Sequence, residues 1–116
     1  MSISVLIIEE DPLVRESLVY MLDCRKYIVV GVADAARAFE VMEGVCIDVL
    51  VVGDERDDVA ASRIAVRAKQ AQRQIKVARA TKAQQPVHAS EGIDVVLQKP
   101  VSSEQMHAAI TRLISA

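Results

Sequence analysis

Asp48-Val49-Leu50-Val51-Val52-Gly53-Asp54 decides how this chain folds. Four successive branched apolar residues between polar ones read as a short strand covered on both faces. Three similar runs each stop at a polar group: Val5-Leu6-Ile7-Ile8 before Glu9-Glu10, residues 77–80 before Thr81, and Val95-Val96-Leu97 shortly before Lys99-Pro100. The central run ends instead on Gly53, a residue with no side chain to offer.

Helical signals lie between these runs. Asp11 suits an N-cap and Pro12 a first helical position, predicting a helix through Leu13, Val14, Leu18, Met21 and Leu22. Residues 27–32 read as a second strand. Asp34 caps the next helix, with Ala35, Ala38, Phe39 and Met42 on its apolar side and Gly44 as a stop. The central strand covers residues 47–52, and an alanine-rich helix over 59–71 follows an acidic loop, with Arg63 and Arg67 one turn apart on its exposed side. Residues 75–80 and 93–97 complete the strands, although Lys76 and Arg79 are unusual inside a sheet. Ser102 and Gln105 form a capping box ahead of Met106, Ala109, Ile110 and Leu113.

Strands alternating with helices imply a parallel sheet covered on both faces, because parallel neighbours need crossover connections. Five strands favour the doubly wound order 2-1-3-4-5. In that order the C-terminal ends of all strands open on one edge. Glu9, Glu10, Gly53, Asp54, Thr81 and Lys99 fall at or just after such ends, so they are expected to line one crevice.

A chain of 116 residues, 52% hydrophobic, suits one domain spanning 1–116. A net charge of -2 argues against nucleic acid as a partner, since that affinity rests on concentrated positive charge. No apolar run is long enough for a membrane span and the start lacks an export signal, so the expected location is cytoplasmic. Cys24 and Cys46 are expected to be small buried filler, with a redox pair as the alternative.

The series of acidic pair, acceptor position, hydroxyl and Lys-Pro resembles the two-component response-regulator receiver domain, a flavodoxin-like fold, across nearly the whole chain. The resemblance implies phosphoryl transfer to an aspartate closing the third strand. In that chemistry an acidic pair holds Mg2+, a lysine neutralises the phosphoryl oxygens and a hydroxyl bonds the product. Glu9 and Glu10 match the acidic pair, Thr81 the hydroxyl and Lys99-Pro100 the lysine with its proline. The acceptor position falls on Gly53.

Other departures accompany Gly53. Glu10 is a methylene longer than the family's aspartate, Asp57 and Ala61 replace a proline and a glycine, and Val96 stands where an aromatic is common. The segment from Thr81 to Lys99 is about four residues short, roughly one helical turn, and Pro86 disfavours a continuous fourth helix. These features resemble a degenerate pseudo-receiver, expected to signal by protein interaction without phosphorylation and without enzymatic activity. Lys99 is then expected to pair with Glu10 or Glu9. No metal is expected, Glu10 and Asp54 being the only weak candidates.

The alternative is a phosphoaccepting receiver in which a one-residue bulge presents Asp54, the only reading that calls for Mg2+. Against that, Asp54, Glu55, Asp57 and Asp58 read equally well as a hydrated loop, and Glu9-Glu10-Asp11 as an acidic helix start. Arg79 needs a carboxylate, Glu10 or Asp54, or an exit to water. His88 and His107 read as surface residues on helices. A third reading, a small-ligand sensor of flavodoxin-like fold, lacks a glycine-rich phosphate cradle, and 3% aromatic residues leave little to stack on. The resemblance implies a histidine kinase, phosphotransfer protein or regulator as partner, a contact face within residues 84–112, and a homodimer through that face.

Overall fold

The computed structural model describes residues 2–53, 57–82 and 90–115. The elements run β1 (Ser4–Ile8), α1 (Pro12–Asp23), β2 (Ile28–Val32), α2 (Ala35–Gly44), β3 (Val49–Gly53), α3 (Asp58–Ala71), β4 (Lys76–Thr81), β5 (Val95–Gln98) and α4 (Ser103–Ser115). All strand pairs are parallel, in the order β2-β1-β3-β4-β5, as the crossover argument requires.

Strand alternation divides the core. Val5, Ile7, Val49, Val51, Ala78 and Ala80 pack with Leu18 and Leu22 of α1 and Met106, Ile110 and Leu113 of α4. On the opposite face Leu6, Ile8, Leu50, Val52 and Val77 meet Ala38 and Met42 of α2 and Ala61, Ala65 and Ala68 of α3. Both faces of β1 and β3 are thus filled, which is why their runs are continuously apolar. Small residues on α3 let that helix lie close to the sheet.

The helix starts follow the sequence closely. The Asp11 carboxylate accepts from the backbone N–H groups of Leu13 and Val14, and Asp34 accepts from Arg37. Ser102 and Gln105 bond reciprocally: Ser102 N–H donates to Gln105 Oε1 at 2.9 Å, and Gln105 N–H to Ser102 Oγ at 3.1 Å. Asp57 caps α3, so that helix begins a residue earlier than its apolar pattern suggests. β4 reaches Thr81 and β5 runs to Gln98, each displaced toward the crevice relative to the apolar runs.

Two expectations require correction or completion. Cys24 and Cys46 are exposed rather than buried, because both follow the C-terminal ends of helices at the edge of the sheet remote from the crevice. Cys24 has a local effect: its side-chain hydrogen bond, then its charge, raises the exposed Tyr20 phenol above the usual 10.0. His107 is exposed on α4, as expected, yet its Nδ1 lies 2.6 Å from the Tyr27 hydroxyl. Pro86 and His88, and with them the expected fourth helix, lie outside the described residues.

Gly92 adopts φ +82, and a Cβ there would lie 2.9 Å from Ala65 Cβ. Only glycine accommodates both that backbone and that approach, so the turn entering β5 packs directly on α3. Beside it, Ser62 Oγ donates to the Glu91 carbonyl at 2.6 Å.

Candidate functional site

Parallel register builds the crevice. Ile8 pairs with Val52, so the next step along each strand brings Glu9 beside Gly53. Gly53 in turn pairs with Ala80, and Thr81 with Gln98. Lys99 follows directly, its backbone N–H donating to the Thr81 carbonyl at 2.8 Å. Residues 90 positions apart in sequence therefore reach the same edge.

The two glutamates of the acidic pair face different surroundings. Glu10 is exposed, whereas Glu9 is wholly buried. Glu9 Oε1 pairs with Lys99 Nζ, whose side chain is 7% exposed, and Oε2 accepts from the Asp11 backbone N–H at 3.2 Å. Its backbone is held as well: the N–H donates to Val32 O at 2.9 Å, and its carbonyl accepts from Arg15 Nη1 at 2.8 Å. A buried carboxylate needs this degree of satisfaction, since an uncompensated charge there costs several kcal/mol. Of the two partners expected for Lys99, the structure selects Glu9 rather than Glu10.

Gly53 is part of the same arrangement. An added Cβ would lie 2.8 Å from the Ile8 carbonyl oxygen and 2.9 Å from Glu9 Oε1. Real Cβ atoms do not approach other atoms so closely, so the Glu9 carboxylate lies against the space that any side chain at position 53 would enter. Thr81, 7% exposed, closes β4 beside this group.

Arg79 is 3% exposed on the face shared with α3 and pairs with Asp58 at the start of that helix. Asp58 thus has a structural partner beyond the solvated role read from its loop. This is neither the expected Glu10 pairing nor an exit to water; Asp54, the other expected partner and the alternative acceptor, lies outside the described residues. Val96, in the position where receivers commonly have an aromatic, packs partly buried on the α3 side. Asp11, Arg15 and Asp58 were not singled out for the crevice by sequence reasoning. The signal available for Asp58 was the unusual arginine in a buried strand, which demanded a carboxylate somewhere.

The described residues do not fit a Mg2+ site of the kind receivers use. Gly53 supplies no ligand, and both oxygens of Glu9 are engaged by Lys99 and the Asp11 amide. Among the described residues no group of three His, Cys, Asp or Glu side chains is positioned to hold a metal. Nor is any described helix long and apolar enough to cross a membrane.

No family model matches this sequence, and no curated protein matches it. Solved structures do. A response regulator from Thermotoga maritima superposes over the whole of both chains with a TM-score of 0.87 at 15% identity. A response-regulator receiver domain protein from Clostridium thermocellum gives 0.85 at 18%, covering 97% of this chain and 94% of that one. An orphan response regulator of H. pylori gives 0.79 at 21%, covering 97% of each chain. The chain therefore adopts the receiver-domain fold of two-component response regulators, which confirms the doubly wound, flavodoxin-like architecture expected from its strands.

Proposed function

We propose that this chain is a receiver-like signalling module that binds a protein partner in one standing conformation, independently of aspartyl phosphorylation. One observation carries the proposal: the wholly buried Glu9 carboxylate pairs with Lys99 against the space next to Gly53. Phosphoryl transfer to a receiver needs an oxygen nucleophile at the tip of β3, a cation to offset charge, and a lysine available to the incoming phosphoryl group. Gly53 lacks the first, and Glu9 engages the lysine that would supply the third. The module is accordingly non-enzymatic and needs no cofactor. Its partner is a histidine kinase, phosphotransfer protein or regulator, and its contact face lies within residues 84–112, where it also forms a homodimer.

Incubation with Mg2+ and radiolabelled acetyl phosphate tests the proposal. No base- and hydroxylamine-labile label should accumulate. Stoichiometric label that disappears in Asp54→Asn would establish instead the reading in which Asp54 serves as acceptor.

A further inference from the structure

The same site shows how a receiver fold tolerates glycine at the tip of its middle strand. We infer that the Glu9 carboxylate is a relocated counterpart for Lys99, delivered from the end of β1 into space that exists only because residue 53 has no Cβ. The inference rests on the proposed function, and it makes Glu9 and Gly53 a matched pair rather than two separate departures.

Three observations converge on it. Glu9 Oε1 is the atom that bonds Lys99, and it is also the side-chain atom nearest an added Cβ at residue 53, at 2.9 Å. Glu9 is wholly buried while adjacent Glu10 is exposed, so the chain has turned one of two neighbouring carboxylates inward. The turned one is anchored by its second oxygen on the Asp11 amide, fixing the direction of the first. An aspartate at 53 would project its carboxyl toward the volume Glu9 Oε1 occupies. Two carboxylates would then compete for one lysine at a separation where like charges repel strongly.

The arrangement links the tip of β1 to the segment entering α4. Lys99 immediately follows β5, and Ser102 caps α4 three residues later. Glu9 is thus a positioning residue: through Lys99 it holds the start of the final helix relative to the central strands. Here the link to Lys99 is supplied from within the chain, by Glu9 at the end of β1.

Moving the carboxylate back to β3 tests the inference. Gly53→Asp alone and Glu9→Ala alone should each lower the urea midpoint, the first by crowding and like charge, the second by depriving Lys99 of Glu9. Gly53→Asp combined with Glu9→Ala relieves the contact with Glu9 and the like charge but keeps the 2.8 Å approach to the Ile8 carbonyl, so it should recover part of that loss. Gly53→Ala with Glu9→Ala, which restores a Cβ without a carboxylate, should not. Lys99 acetylation, followed by mass spectrometry, supplies a readout that packing alone would not move. Its rate should rise about tenfold or more in Glu9→Ala, as expected for loss of an interaction worth that factor, and fall back only in the variant carrying Asp at 53.

If Gly53→Asp does not fold by itself, the two double variants still decide the question. Equal stability and equal Lys99 reactivity in those two variants would overturn the inference, showing that space and not charge matters. Labelling of the wild-type protein on Asp54 would refute the proposed function while leaving this comparison readable.

Discussion

Replacing Lys99 by methionine isolates the energetic weight of the crevice. The substitution keeps an unbranched chain but leaves Glu9, wholly buried, without its ammonium partner. Breaking a buried pair from one side costs about 3–5 kcal/mol, a large part of the roughly 5–15 kcal/mol that holds a domain folded. At a urea slope of about 1.5 kcal/mol/M, the lower figure moves the midpoint by about 2 M. Glu9→Gln removes the buried carboxylate charge that Lys99 pairs with and should cost a comparable amount, although the amide oxygen can still accept from the Asp11 N–H. The double variant Glu9→Gln with Lys99→Met removes both charges and should cost only about 1 kcal/mol, close to the net worth of a neutral hydrogen bond. Urea melts of all four proteins should therefore give a coupling of about 5 kcal/mol at the lower single costs, well beyond the additivity error of about 0.5 kcal/mol. Single costs that simply add would refute the argument that these two side chains form one interdependent unit.

Other variants probe the scaffold around the pair. Gly92→Ala should lower stability by about 2–4 kcal/mol, since φ +82 disfavours alanine and its methyl would press on Ala65; thermal melting reads this directly. Ser102→Ala should cost about 1 kcal/mol by opening the capping box of α4, while Ser102→Asp, which can still accept from the Gln105 amide, should cost less. Cys24 and Cys46 should both react with a thiol reagent in the folded protein without denaturant, because both are exposed; slow reaction of either under native conditions would contradict that placement.

Much of this fold was legible because its signals are local or depend on burial alone. Continuous β-branched runs at β1 and β3 report two covered faces, and Asp11-Pro12, Asp34 and the Ser102-Gln105 box mark helix starts through contacts at most three residues long. The strand ends brought Glu9, Gly53, Thr81 and Lys99 together as expected, since in a doubly wound sheet their convergence follows from connectivity. What stayed hidden depends on three-dimensional direction. Alternation along β1 ends at Ile8, so nothing in the sequence says which of Glu9 and Glu10 turns inward. Arg79 plainly required a carboxylate, but Asp58 lies 21 positions away on another element. The cysteines were misjudged because composition predicts average burial, whereas both sit where a helix has just ended. Gly31 shows the same limit: a Cβ there would meet Val19 Cγ2 at 2.8 Å, a close approach of α1 to β2 that no local pattern encodes.

Mass analysis of the intact wild-type protein after exposure to Mg2+ and acetyl phosphate tests the central claim most directly. A receiver fold whose lysine is already held by Glu9, and whose middle strand ends on Gly53, should gain no hydroxylamine-labile phosphoryl group. A single such addition, mapped to Asp54 and abolished by Asp54→Asn, would contradict the account.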